Sequence, residues 1–429
     1  MTDTVQQFRD IRATMRKNEV WRDVDFSNMM PDGMKTPQPT EIENKDYPCN
    51  IPGINTIKIT VINGRCVTPY YVRLDGVSYG SLTEACKICP DLIGDYLCKC
   101  TKSDNPYEKI NASNYEDGVF IYIPDGTHYN PTFQIVNIID SKEPIFVQTR
   151  NLVVVGKRAT LTLLQCDDSI GDSRSMSNNV TEIFAGLEAQ VQHYKLQNMN
   201  DMSGLLNHSY AQLEEKAVFS TSVVTLNGGH IRNHAEVNML DEHCRVDANG
   251  LYLIDKEQQS DNYIFVNHAK PNCQSHALYK GIMDDSAHAT FNGHVLVSDG
   301  AVKTEAYQTN RNILLTDKAT VQSKPFLEIY NDDVKCSHGS TTGQIDELAM
   351  FYIRSRGISE RTARTMLLYA FCDEVIQKIG YEPLRNRLSD MVKQRLHGEL
   401  TPCSECALHC NNTCGCNDAP AFEIDADKL

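Results

Sequence analysis

From about residue 119 to residue 330 the chain is one short strand-like run after another, and nothing else constrains its fold as strongly. The runs include Thr132–Ile139, Ile145–Thr149, Leu152–Val155, Thr160–Leu164, Val218–Leu226, Glu236–Leu240, Gly250–Ile254, Tyr263–Val266, His294–Val297 and Phe326–Tyr330. Turn formers punctuate them: Asp125-Gly126, Asn227-Gly228-Gly229, Asn249-Gly250, Asn292-Gly293 and Asp299-Gly300. Such residues tolerate the backbone angles of tight turns and so break the chain into strands. No part of this stretch carries apolar residues at helical spacing over the length of a helix. Small residues recur at strand starts, at Ala217, Ala235, Ala287, Ala301 and Ala319, though with irregular spacing. Two architectures satisfy the pattern: a large sandwich and a right-handed parallel β-helix. The number and shortness of the strands, and their polar alternate positions, favour the β-helix.

The flanks read differently. Val5, Phe8, Ile11 and Met15 fall on one helical stripe over residues 4–17. A connector containing Pro31, Pro37, Pro39, Pro48 and Pro52 is expected to be irregular. Ile57–Ile62 is strand-like, and a short helix is expected around Ser81 to Cys98, where Ser81 and Glu84 fit a capping box. Helices return after Gly343. Gln344–Arg356 carries Ile345, Leu348 and Tyr352 on one stripe. Ser359 suits the N-cap of Glu360–Ile379, which aligns Ala363, Leu367, Phe371, Val375 and Ile379. Pro383 suits a first turn, followed by Leu384, Leu388, Met391 and Leu396 up to Gly398. The expected organisation is a mixed α/β N-terminal region over 1–118, a β-helix over 119–335, a three-helix subdomain over 336–398 and a Cys-rich tail over 399–429. The helices also carry Arg354, Arg356, Arg361, Arg364, Arg385, Arg387, Lys393 and Arg395, which form either a solvated face or a basic docking surface.

Charge and composition exclude several functions. The chain has 429 residues and a net charge of -15, which disfavours nucleic acid and anionic membranes as partners. No apolar run approaches the ~18–20 residues of a membrane span. Met1–Arg22 has no apolar core of a signal peptide, so a cytoplasmic location with reduced thiols is expected for the 16 cysteines. Gly156-Lys157 is followed by Arg158, Asn151 stands where a P-loop needs its first Gly, and Gly-x-Gly-x-x-Gly does not occur. Any ATP chemistry would therefore belong to another chain. Asp167, Asp168, Asp172, Asp284 and Asp285 read as solvated turns rather than a glycosidase pair. His230 and His234 share a strand face and read more readily as part of a polar ladder than as metal ligands.

Two cysteine-bearing segments stand out. Cys336 and His338 are two apart after a strand-like run, so an extended chain points both to one face, with Cα atoms about 6.6 Å apart. A thiolate and an imidazole there are able to converge on one metal or cluster edge. Spacing alone also fits a small buried Cys beside a surface His, and favours that plainer reading. The tail packs Cys403, Cys406, His409, Cys410, Cys414 and Cys416 into a segment with almost no apolar content. Metal ligation, by zinc or by iron in an iron–sulfur cluster, is its favoured reading, although the spacing matches neither a ferredoxin nor a zinc ribbon. A redox-reactive tail is the alternative. Cys86, Cys89, Cys98 and Cys100 form a looser group.

With these features in view, the chain resembles the SufB/SufD family of iron–sulfur cluster scaffold proteins. The most specific segment runs from Asn331 through Cys336-Ser-His338-Gly-Ser-Thr-Thr-Gly to Glu347 and on through Phe351–Ile358; Lys324–Ile329, Asp117–Gly126 and Arg16–Arg22 support it. The His-Gly-x-Thr form after the cysteine is like the SufD branch rather than the SufB branch. The resemblance covers about residues 15–397 and implies a right-handed parallel β-helix flanked by helical regions. It also implies a non-catalytic scaffold that pairs with a SufB-like paralogue and docks a SufC-like ATPase on its C-terminal helices, and it leaves room for a homodimer when the chain is isolated. Carried over by residue, Cys336 and His338 fall on interface positions where a transient iron–sulfur cluster forms, with His338 the stronger candidate ligand. A nearby His is expected to lower the Cys336 thiol pKa. The Cys-rich tail departs from the family pattern, and nothing carries over to it. The competing function is a cytosolic metal-binding or redox-sensing β-helix protein acting through that tail.

Overall fold

The computed structural model describes residues 4–15, 17–37, 55–101 and 105–398. The tail, with Cys403, Cys406, His409, Cys410, Cys414 and Cys416, lies outside these residues, as do Pro39, Pro48 and Pro52 of the connector. The N-terminal region comprises α1 (Thr4–Met15), β1 (Thr56–Ile62), β2 (Arg65–Cys66), β3 (Tyr71–Val72), β4 (Ser78–Ser81), α2 (Leu82–Ile88), α3 (Pro90–Tyr96) and α4 (Pro106–Asn114). Ser81 caps α2 by accepting the Glu84 N–H at 3.2 Å. The Glu84 carboxylate, however, accepts the Tyr70 N–H instead of closing a capping box.

The strand-rich stretch is a parallel β-solenoid. Its strands are β5 (Val119–Ile123), β6 (Thr132–Asp140), β7 (Ile145–Val155), β8 (Thr160–Ile170), β9 (Ser175–Ala185), β10 (Gln190–Asn198), β11 (Ser203–Leu213) and β12 (Val218–Asn227). They continue as β13 (His230–Met239), β14 (Arg245–Ile254), β15 (Gln259–His268), β16 (Gln274–Met283), β17 (His288–Val297), β18 (Thr304–Leu314), β19 (Thr320–Ile329) and β20 (Val334–Gly343). Even-numbered strands from β6 to β20 extend β1 into one sheet, and odd-numbered strands from β5 to β19 extend β4 into the other. Pairing is parallel throughout, except at the antiparallel pairs β1–β2, β3–β4 and β4–β5.

Most of these strands are longer than the apolar runs that mark them in the sequence, and the interior explains why. On the inward face the apolar half of the turn holds Val153, Leu163, Ile183, Val191 and Phe219. The other half is polar. Thr149 donates to Asn179 at 2.9 Å and Asn151 to Thr181 at 3.1 Å, each partner 30 residues away on the next rung. His193 bonds Gln165 at 2.7 Å and Thr221 at 3.2 Å. Lys195 pairs with Asp167 at 3.2 Å, both buried. Asp167 and Asp168 are thus buried members of β8 and not solvated turns, because a ladder of neighbours satisfies them.

Both outer faces are also covered, so many strands are apolar on both sides, as parallel sheets usually are. On the even sheet, Leu164, Tyr194, Leu196, Val224, Leu251 and Ile282 meet α6 (Glu360–Ile376) and α7 (Glu382–His397) through Leu368, Cys372, Val375, Leu388 and Met391. Ser359 caps α6 by accepting the Thr362 N–H at 3.2 Å, and Gly398 closes α7 in the left-handed region at φ 77°. On the odd sheet, Phe8 of α1, Trp21 and Phe26 cover Phe146, Met176 and Leu206. Arg150 of β7 ties α4 to this sheet through Glu108 at 2.9 Å and Glu182 at 2.7 Å, while Glu182 also accepts the N–H groups of Cys98 and Cys100.

The turns repeat as well. Arg158, Glu188, Lys216, His243 and Asn272 all have positive φ, and each precedes a small inward residue: Ala159, Ala189, Ala217, Cys244 and Cys273. The column is regular, but the sequence obscures it because Cys replaces Ala on two rungs.

Two expectations follow. Arg150→Met leaves Glu182 and Glu108 as buried, uncompensated charges and should destabilise the chain by about 3–5 kcal/mol, read from urea unfolding. Burial also holds His193 and His268 down to about 3, against an ordinary value of 6.5. Between these values the unfolded chain binds more protons than the folded one. Each histidine's contribution is therefore full above pH 6.5 and is lost on acidification, by about 2 kcal/mol near pH 5. Glu116, pushed up to about 7 by burial, acts in the opposite direction. The readout is accordingly the difference between wild type and His193→Gln, whose stability should fall less steeply from about pH 7 to pH 5.

Candidate functional site

Cys336 and His338 lie on β20, the last strand of the even sheet, paired on one side only, with β18. The register places Cys336 beside Ala306, His338 beside Gln308 and Ser340 beside Asn310. Ala306, Gln308 and Asn310 point into the solenoid and are buried. Stacked parallel strands keep one facing, so Cys336, His338 and Ser340 belong to the inward face of the final rung. The expected common face for the Cys and the His is therefore present, and it opens onto the mouth of the solenoid.

The local chemistry differs from expectation in one respect. Burial raises the half-buried Cys336 thiol above its ordinary value, and the hydrogen bond from the Ala306 backbone only partly offsets this. His338 is exposed and contributes nothing to that shift. Cys336 packs, with Leu327 and Val334, against the buried cluster of Val295, Val297, Ala301 and Ala306. Behind Ser340 a polar chain leads inward: Ser340 bonds Ser323 at 2.7 Å, Ser323 donates to Asn310 at 2.8 Å, and Asn310 donates to the Tyr252 hydroxyl at 3.2 Å. Gln308, directly beneath His338, is 2% exposed, and among the described residues neither its amide nitrogen nor its amide oxygen has a hydrogen-bond partner. It lies against Gly293, where a Cβ would stand 1.7 Å from the amide nitrogen. Sequence reasoning misses Gln308, since only the register shows that it neighbours His338.

The edge around this site is apolar. Phe326 of β19 is 42% exposed and Tyr330 60%. The helix that follows, α5 (Glu347–Arg354), is capped by Asp346 and carries Leu348 at 77% and Phe351 at 71% exposure. Of the expected stripe, Leu348 and Tyr352 thus face outward with Phe351 beside them, whereas Ile345 packs on the cluster that α6 and α7 form with the solenoid. The basic residues divide in two. Arg354, Arg356, Arg361 and Arg364 are exposed near α5 and the start of α6. Arg395 turns back onto the solenoid, meeting Asp255 at 2.8 Å and the Leu226 carbonyl at 2.7 Å.

Other candidate residues serve the fold. His230 bonds Asp261 at 2.7 Å and stacks on Phe26, and His234 bonds Glu236 at 2.8 Å and stacks on Trp21. Among the described residues no group of three or more His, Cys, Asp or Glu side chains is placed to hold a metal ion, and no helix is long and apolar enough to cross a membrane.

These features define a β-solenoid protein whose candidate residues Cys336 and His338 stand on an open strand edge. Comparison with known proteins gives the class a family. Residues 137–371 match the model of the SUF system FeS cluster assembly SufBD core domain, and residues 2–135 match that of the SufBD protein N-terminal region. The chain belongs to the SufBD family of the SUF iron–sulfur cluster assembly system. It is 34% identical over 249 residues to the iron–sulfur cluster assembly protein SufD of Escherichia coli, covering 58% of this chain and 59% of that one. It is 31% identical over 315 residues to a SufBD family protein of Synechocystis (71% and 69% covered) and 22% identical over 326 residues to SufD of Bacillus subtilis (75% and 74% covered). The chain thus spans about three-fifths of the length of the E. coli relative.

An unpaired buried amide costs about 1–3 kcal/mol. Gln308→Leu should therefore stabilise the isolated chain by a comparable amount, seen as a higher urea midpoint with an unchanged slope.

Proposed function

We propose that this chain is a SufD-like scaffold subunit of an ATP-driven iron–sulfur cluster assembly complex. It pairs with a SufB-like paralogue through the open end of the solenoid and docks a SufC-like ATPase on its C-terminal helices. The nascent cluster is cargo, held at the seam between chains with His338 as the stronger ligand and Cys336 beside it. The chain itself performs no catalysis and works in the cytoplasm.

The observation that carries this reading is the position of Cys336 and His338: inward on a final rung that, among the described residues, has no next strand, at an edge lined by exposed Phe326 and Tyr330. Unpaired backbone groups and exposed apolar side chains on one edge favour strand-to-strand association. Two ligands make half of a site, and a partner's residues complete it. The outward apolar stripe of α5 and the exposed arginines beside it supply a docking face with both an apolar anchor and a positive rim.

Co-expression with a SufB-like and a SufC-like chain tests the reading. A stable complex is expected to co-purify under anaerobic conditions and to bind iron and sulfide. His338→Ala should assemble the same complex but retain less than about a tenth of the iron, as loss of a metal ligand implies. Full iron loading by that variant would exclude His338 as a ligand, and a folded chain that binds neither partner would overturn the scaffold reading. Alone, the chain should form a concentration-dependent homodimer through the same edge, and Phe326→Asp should shift it to monomer in sedimentation analysis.

A further inference from the structure

The turn column described above places two thiols side by side. The Gln274 N–H bonds the Cys244 carbonyl at 2.9 Å and the Glu305 N–H bonds the Cys273 carbonyl at 3.1 Å, so the two cysteines occupy adjacent rungs. Adjacent strands stand about 4.8 Å apart, inside the Cα separation of ~4.4–6.8 Å that a disulfide spans. Both sulfurs lie 3.3 Å from one oxygen, the Asp241 carbonyl, and each is within hydrogen-bonding reach of the other. Cys244 also meets the Glu214 carbonyl at 3.0 Å and Cys273 the Pro271 carbonyl at 3.5 Å. A niche walled by carbonyl oxygens accepts S–H protons and repels a pair of thiolates, so it suits a dithiol or a disulfide better than a metal-bound dithiolate.

We propose that Cys244 and Cys273 form a reversible oxidative modification site, closing to a rung-to-rung disulfide when a hydroperoxide reaches the turn. Cys244 donates to the Cys273 sulfur, which draws the Cys273 thiol down and pushes the Cys244 thiol up. Both sulfurs stand 3.3 Å from the same carbonyl, and attack by Cys273 leaves Cys244 beside it to resolve the product. The Cys273 sulfur attacks a peroxide oxygen and the O–O bond breaks. The proton from Cys273 leaves on the departing oxygen as water or alcohol, and the sulfur becomes a sulfenic acid. The Cys244 sulfur then displaces the sulfenic hydroxyl, and its proton leaves with that hydroxyl as water. Two thiols lose two electrons in all, and one hydroperoxide gains them. Both thiols are buried, Cys244 at 1% and Cys273 at 0% exposure, beneath the left-handed turn residues His243 and Asn272, so the peroxide enters as these turns open. The product covalently joins β14 to β16.

The test is peroxide treatment of the full chain, followed by alkylation and peptide mapping. A linked peptide containing Cys244 and Cys273, lighter by two hydrogens and released by dithiothreitol, is expected. Exposed Cys98 reports that oxidant was delivered. Cys244→Ala should keep the circular dichroism of the wild type, because Ala fills the same column on three earlier rungs. In this variant a dimedone adduct should collect on Cys273. Full alkylation of both thiols at a peroxide dose that oxidises Cys98, or linkage of either to a different cysteine, would overturn the proposal.

Discussion

Everything in this molecule rests on the main-chain ladder between rungs. Each strand finds its hydrogen-bond partners in chain about 30 residues away, and every rung is both template and dependant of its neighbours. Such an arrangement must stop at two ends. At the start, β5 pairs with β4 in antiparallel fashion, and α2 and α3 pack against it. At the finish, among the described residues, the edges of β19 and β20 have no strand beyond them. The asymmetry between a covered start and an open finish gives the candidate site its character, because Cys336 and His338 stand where the ladder ends.

Much of the architecture was legible in the sequence, for physical reasons that can be traced. Turn formers and short apolar runs marked the solenoid, and the caps Ser359, Pro383 and Gly398 marked the helices, because these residues act on local backbone angles and hydrogen bonds. What escaped notice was the polar half of the interior. Gln165, His193, Asn207 and Asn233 resemble surface positions in a pattern of hydropathy, yet each is buried in a network that only the stacked register supplies. The same gap misread Asp167 and Asp168 as turns and left the strands too short. The regular column of small turn residues was hidden too, since Cys244 and Cys273 stand in for Ala.

The site was partly legible. The i, i+2 spacing of Cys336 and His338 correctly implied one face, but not which one. That they face inward depends on Ala306 and Gln308 of the preceding rung, residues the spacing does not reach. The expected activation of the thiol did not appear, because burial against Ala306 and Leu327 outweighs any influence of the exposed imidazole. Likewise the stripe on α5 was visible as apolar, while its outward direction was not, since exposure depends on what the rest of the chain leaves uncovered.

The helices α6 and α7 have a mechanical consequence. Their apolar faces rest on side chains drawn from β1, β6, β8, β10, β12, β14 and β16, so the pair lies across many rungs like a splint. A push or twist applied to these helices cannot tilt one rung alone. It is shared along the wall through Tyr194, Leu226 and the Arg395–Asp255 contact, and the wall responds as a stiff beam. The splint reaches β18, where Arg311 meets Glu374 of α6 at 3.4 Å and Ile313 packs on the same cluster, and it leaves β20 as the even-sheet strand beyond it.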